Sequence, residues 1–68
     1  MSVYKIIELV GTSDQSWEEA ARTAVETASK SLRDLRVAEV AEMDLKFEEG
    51  KILFRVKLKV SFKYEGRS

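Results

Sequence analysis

The 68-residue chain contains no cysteine, no histidine and no proline, and only three glycines. Without cysteine there is no disulfide to brace a small fold. Without histidine the usual zinc ligand sets, a papain-like pair and any triad built on an imidazole base are excluded. The near-absence of proline and glycine leaves no stretch that reads as a linker, and 44% hydrophobic with 35% charged residues is neither disordered nor low-complexity. Charge of one sign is also lacking, because twelve Lys+Arg balance twelve Asp+Glu. A net charge of zero argues against a main task of gripping nucleic acid or an anionic membrane. Purely apolar runs reach only two or three residues (Ile6-Ile7, Leu9-Val10, Ile52 to Phe54), and no basic region precedes an apolar one. Neither a signal peptide nor a membrane span is expected, and the cytoplasm is the default compartment.

One domain over 1–68 is the most that this length allows. A chain of this size hides only about 60% of its unfolded surface when it folds alone. Ordering it costs on the order of 100 kcal/mol. With neither disulfide nor zinc to brace it, association with copies of itself is the expected support.

Val3 to Val10 is rich in β-branched and aromatic residues and stops at the turn cluster Gly11-Thr12-Ser13, which predicts a strand. Both of its faces are largely apolar (Tyr4, Ile6, Val10 and Val3, Ile7, Leu9), so both are expected to be partly covered. Ser16 followed by Glu19 has the spacing of a capping box and starts a helix. Trp17, Ala21, Ala24, Val25, Ala28 and Leu32 fall on one stripe, with Glu18, Glu19, Arg22, Glu26, Lys30 and Arg33 opposite, acids early and bases late. A helix of about 18 residues, about 27 Å long, follows. Three alanines on its inner stripe make a shallow core.

From Arg36 to Tyr64 the period becomes two, broken at Glu48-Glu49-Gly50-Lys51. This predicts a long hairpin turning at Glu49-Gly50, where Gly50 permits a positive φ. Phe47 then faces Ile52, Leu45 faces Phe54, Met43 faces Val56 and Ala41 faces Leu58. On the other side Asp44 faces Arg55 and Glu42 faces Lys57. Glu39 falls on the apolar parity, where an inter-subunit ion pair is the expected way to stabilise it. Strand, helix and hairpin give an α+β subunit of βαββ order, a three-stranded antiparallel sheet on one helix with the last strand in the middle. Hairpin strands of about 12 residues run to about 40 Å and outreach the helix. A closed oligomer is the expected way to cover the overhang and the sheet edges.

The strings Val-Tyr-Lys-Ile-Ile-Glu-Leu-Val-Gly-Thr-Ser (3–13), Ser-Trp-Glu-Glu-Ala-Ala (16–21), Arg-Val-Ala-Glu-Val (36–40) and Lys-Leu-Lys-Val-Ser-Phe-Lys (57–63) resemble the dodecin family over nearly the whole chain. The resemblance implies a hollow, spherical homododecamer with its helices outside. It also implies flavin binding, in which flavins stack in pairs between aromatic side chains of symmetry-related subunits and a glutamine on the last strand bonds the isoalloxazine edge. The stacking tryptophan's position corresponds to Val37 here, and the glutamine's to Arg55. That departure makes the chain resemble a subgroup that lacks the aromatic clamp and has been described as calcium-binding.

These readings give a set of candidate residues. Val37, Arg55 and Glu42 are the candidates for a cofactor site, with a flavin (riboflavin, FMN or FAD) the first ligand. The basic row Arg55, Lys57, Lys59 and Lys63 offers an anion surface that a flavin phosphate or coenzyme A could use, or a solvated, cross-strand-paired face. Glu42 and Asp44, two apart on one strand face, offer oxygens to Ca²⁺, a hard ion. Beside Arg55 and Lys57 they also make ordinary cross-strand ion pairs, and nothing resembles an EF-hand loop. Trp17 is expected to pack the first helical turn. No nucleophile sits beside a base, and there is neither a phosphate-cradling glycine loop nor a carboxylate pair placed for raised pKa values, so an enzyme is not expected. The leading reading is a shell that binds and stores a flavin-like small molecule. The alternative is a structural or calcium-binding shell.

Overall fold

A computed structural model describes residues 2–63. The elements run β1 (Tyr4–Ser13), α1 (Trp17–Ser29), β2 (Leu35–Glu48) and β3 (Lys51–Lys63). All pairings are antiparallel in the order β1-β3-β2, so the last strand is central, as the pattern predicts.

Two residues make the hairpin turn. Glu49 (φ 47°) and Gly50 (φ 77°) both take the left-handed conformation, the geometry of a two-residue loop whose twist matches its strands. The predicted register holds from Glu48↔Lys51 to Glu42↔Lys57. There it shifts by one, and Val40, not Ala41, lies opposite Leu58. The extra residue is a β-bulge, which reverses which face each later side chain takes. This corrects the placement of Glu39, which stands opposite Lys59 on the charged face rather than among apolar side chains. A second shift between Leu35 and Val37 leaves Leu35 against the core and Val37 on the outer face.

The helix is capped by Ser16, whose hydroxyl accepts the Glu19 N–H at 3.0 Å. The reciprocal half of the capping box is relayed through Ser13. Its hydroxyl donates to the Glu19 carboxylate at 2.7 Å and accepts from the N–H groups of Gln15 (2.9 Å) and Ser16 (3.3 Å). At 13 residues, about 20 Å, the helix is shorter than its apolar stripe. The N–H groups of Ser31 and Leu32 both return to the Ala28 carbonyl, closing the last turn. The chain then reverses at Asp34 (φ 58°), whose carbonyl accepts from Lys63 N–H at 3.2 Å. Lys30 and Arg33 therefore lie beyond the last helical turn, which carries no base.

Ala20, Ala24 and Ala28 are the helix's buried residues, while Ala21 is only half-buried. Gly11 explains the rotation of the stripe. A Cβ there would collide with the Ala20 carbonyl oxygen and lie 2.9 Å from the Ala24 Cβ, so β1 can press on the helix only with glycine at this point. Val56, Leu58 and Val60 of β3 complete the core, with Ile7, Leu9, Trp17, Val25 and Leu35 packed around it. The core is thin, and the molecule extends 51 Å along its longest axis. The hairpin outreaches the helix and leaves Met43, Leu45, Ile52 and Phe47 exposed, Phe47 by 75%.

Candidate functional site

One sheet face lies under the helix and the other is open. Alternation along β3 puts Arg55, Lys57, Lys59 and Ser61 on the open face. Register then sets Asp44, Glu42, Glu39 and Val37 beside them on β2, and Thr12, Val10, Glu8 and Ile6 on β1. The face is a cationic row between an acidic strand and a mixed one that carries Glu8.

Arg55 donates from Nε and Nη2 to the two carboxylate oxygens of Asp44, at 2.7 and 2.9 Å. Such a bidentate pair is the strong form of the ion pair. The hydrogen bonds from Arg55 hold the Asp44 carboxyl below its ordinary value, and Asp44 raises Arg55 in turn. The Lys57 ammonium lies 3.7 Å from Glu8. Among the described residues, no cation lies within 4.0 Å of Glu42. Val10, Glu42, Asp44, Arg55 and Lys57 together line a recess of about 170 Å³. Behind it Asp44 is fastened to the helix start, because its backbone oxygen accepts Trp17 Nε1–H at 3.4 Å while the indole meets Phe54 edge-on at 5.0 Å.

The sequence candidates are thus partly assembled. Glu42, Asp44 and Arg55 share the recess. Val37 is apart, opposite Ser61, whose hydroxyl donates to its carbonyl at 3.4 Å. From Arg55 to Ser61 is six positions along β3, about 20 Å. Within one chain Val37 and Arg55 therefore cannot touch a single isoalloxazine ring. Their chemistry does not fit one either: Val37 is a 62% exposed aliphatic side chain, and the Arg55 donors on Nε and Nη2 are engaged by Asp44.

Two features lay outside the sequence reading. Glu8 joins the charged face through Lys57, which the β1–β3 register would have indicated. An apolar groove of about 540 Å³ runs between β1 and the helix, lined by Ile7, Leu9, Thr23, Thr27, Ala28 and Leu32 among others. Its only advance signal is the i, i+4 pair of threonines beside the alanine stripe. Among the described residues, no three His, Cys, Asp or Glu side chains converge as a metal site, and no helix is long and apolar enough to cross a membrane.

The Dodecin family model matches residues 3–65. The calcium dodecin of Mycobacterium tuberculosis is 55% identical over 64 residues, covering 93% of this chain and 90% of that protein. The dodecin of Thermus thermophilus is 41% identical over 93% of both. The crystal structure of the M. tuberculosis protein, described as calcium-chelating with a novel calcium-binding site, superposes with a TM-score of 0.87 at 50% identity, covering 98% of this chain and 97% of that one. Dodecin from Streptomyces coelicolor gives 0.89 at 36% identity, over 97% and 96%. With the βαββ order, the antiparallel sheet and the single covering helix all in agreement, the chain belongs to the dodecin family.

Proposed function

We propose that the protein is a self-assembling binding shell, a homododecamer, whose open sheet face takes a divalent cation such as Ca²⁺ in preference to a flavin. The carrying observation is Glu42, a carboxylate in the recess with no cation within 4.0 Å among the described residues, on a face whose clamp position is the aliphatic Val37. A flavin needs a stacking surface, worth about 1–3 kcal/mol per ring by analogy with base stacking, and valine offers none. Coenzyme A and flavin phosphates need free cations, whereas both cations of the recess, Arg55 and Lys57, have carboxylates beside them. The likeness to a calcium dodecin points the same way.

One chain does not supply a calcium site. Ca²⁺ takes about six to eight oxygens, and no trio of carboxylates converges among the described residues. In this reading Glu42, with the outer lone pairs of Asp44, contributes to a site completed by water and neighbouring copies in the shell. The exposed apolar hairpin tip and the groove beside β1 supply surface for that assembly. The role is binding and storage rather than catalysis.

The test is the melting temperature against Ca²⁺. A ligand that binds only the folded state raises stability with the logarithm of its concentration above Kd. Wild type is expected to show that rise and Glu42→Gln to lose it. A wild-type melting temperature indifferent to Ca²⁺ contradicts the reading.

A further inference from the structure

The recess holds a guanidinium and an ammonium side by side, Arg55 and Lys57. A planar fork of donors with a point charge next to it is chemistry that holds phosphate. Yet both Nε and Nη2 of Arg55 donate to Asp44. Lys57 has Glu8 at 3.7 Å and Glu42 opposite in register. The four charges lining the recess cancel, so it offers an incoming anion no net attraction.

The backbones that carry the two partners are both held. Arg55 stands on the central strand, paired to Thr12 on one side and Asp44 on the other. The Asp44 main-chain oxygen accepts from the Trp17 indole on the covered side of the sheet. We propose that Asp44 is the specificity determinant of the open face: by closing the Arg55 fork it turns phosphate-bearing ligands away from a recess that otherwise carries the cations to hold them. The location of a ligand on this face rests on the function proposed above; the charge preference assigned to Asp44 does not depend on calcium.

Inorganic phosphate is the probe, compared with chloride at equal ionic strength so that screening is matched. The melting temperature of the assembled protein is the readout. Wild type is expected to show only the general stabilisation that phosphate gives by exclusion from protein surfaces. Asp44→Asn opens the fork, and phosphate should then raise the melting temperature beyond the wild-type gain, progressively with its concentration. Glu42→Gln/Asp44→Asn should gain more, and Asp44→Asn/Arg55→Gln should gain no more than wild type. If light scattering shows that Asp44→Asn does not assemble, Asp44→Ser is measured in its place. A second arm titrates FMN and riboflavin into the same opened variant by fluorescence, where the phosphate ester should exceed its phosphate-free parent at least about tenfold. That arm separates recognition of an ester from recognition of the free ion. A wild type that gains as much from phosphate as the opened variants, with no preference of the opened variant for FMN over riboflavin, overturns the proposal. Failure of the calcium titration leaves the phosphate comparison standing, so the two readings fail separately.

Discussion

Leu58 and Lys59 are neighbours on the central strand, and their surroundings divide the molecule. Leu58, 1% exposed, stands between Leu9 and Val40 under the helix. Lys59 is exposed between Glu8 and Glu39 on the open face. One face is held by close packing of small and branched side chains, whereas the other carries rows of charge, of which Arg55–Asp44 and Lys57–Glu8 stand at ion-pair distance. Packing tolerates almost no change in volume, whereas exposed ion pairs contribute little to stability. The covered face therefore carries the fold, and the open face can vary its chemistry without unfolding the subunit.

The largest way to break this comparison is on the covered side. Leu58→Ala removes a fully buried side chain and should cost about 2–5 kcal/mol, while Lys59→Ala one position on should stay within about 0.5 kcal/mol. Chemical denaturation of the two variants checks the contrast; equal losses would erase the division of labour. Gly11→Ala comes next. The added methyl meets the Ala20 carbonyl and the Ala24 Cβ, so β1 and the helix must part, at about 1–3 kcal/mol.

On the open side the expected changes are in ligand preference. Val37→Trp combined with Arg55→Gln places an aromatic ring and an amide at the two positions where the dodecin resemblance implies a flavin clamp, and should raise riboflavin affinity at least tenfold, about 1.4 kcal/mol, read by fluorescence quenching. Quenching equal to wild type would mean that the ligand sits elsewhere. The smallest effect is that of Asp44→Asn on stability, expected to lower the melting temperature by no more than a few degrees. Its pH dependence has a definite sign. Arg55 holds the folded Asp44 below its ordinary value of 3.8, so the pair's contribution is full above that pH and is lost as pH falls through the folded value. Wild type and Asp44→Asn should differ near neutral pH and converge below about 3.8, measured by thermal melting in matched ionic strength.

What the sequence discloses follows the same division. The alternation of β3 and the two-residue turn fix the hairpin, and with it the Asp44–Arg55 pair, because any one-residue slip would place charge against the core. The bulge between Val40 and Glu42 leaves a fainter mark. Ala41 is small and apolar enough to fit the unbroken parity, and the only sign of a phase change is the adjacent apolar pair Val40-Ala41 preceded by Glu39 on the apolar parity. The helix ends early because the N–H groups of Ser31 and Leu32 both turn back to Ala28, and side-chain periodicity carries no information about that choice. Gly11 has the sequence signature of turn punctuation and is instead a point of contact, since closeness between two elements leaves no mark in the pattern of either. The recess needs the β1 register as well as the hairpin's, so periodicity alone joins neither Val10 to Arg55 nor Glu8 to Lys57.

Titration calorimetry of CaCl₂ and of riboflavin into one preparation of the assembled protein tests the central claim most directly. Saturable heat with Ca²⁺ and none with riboflavin is the predicted result. Saturable riboflavin binding without any calcium response would contradict it.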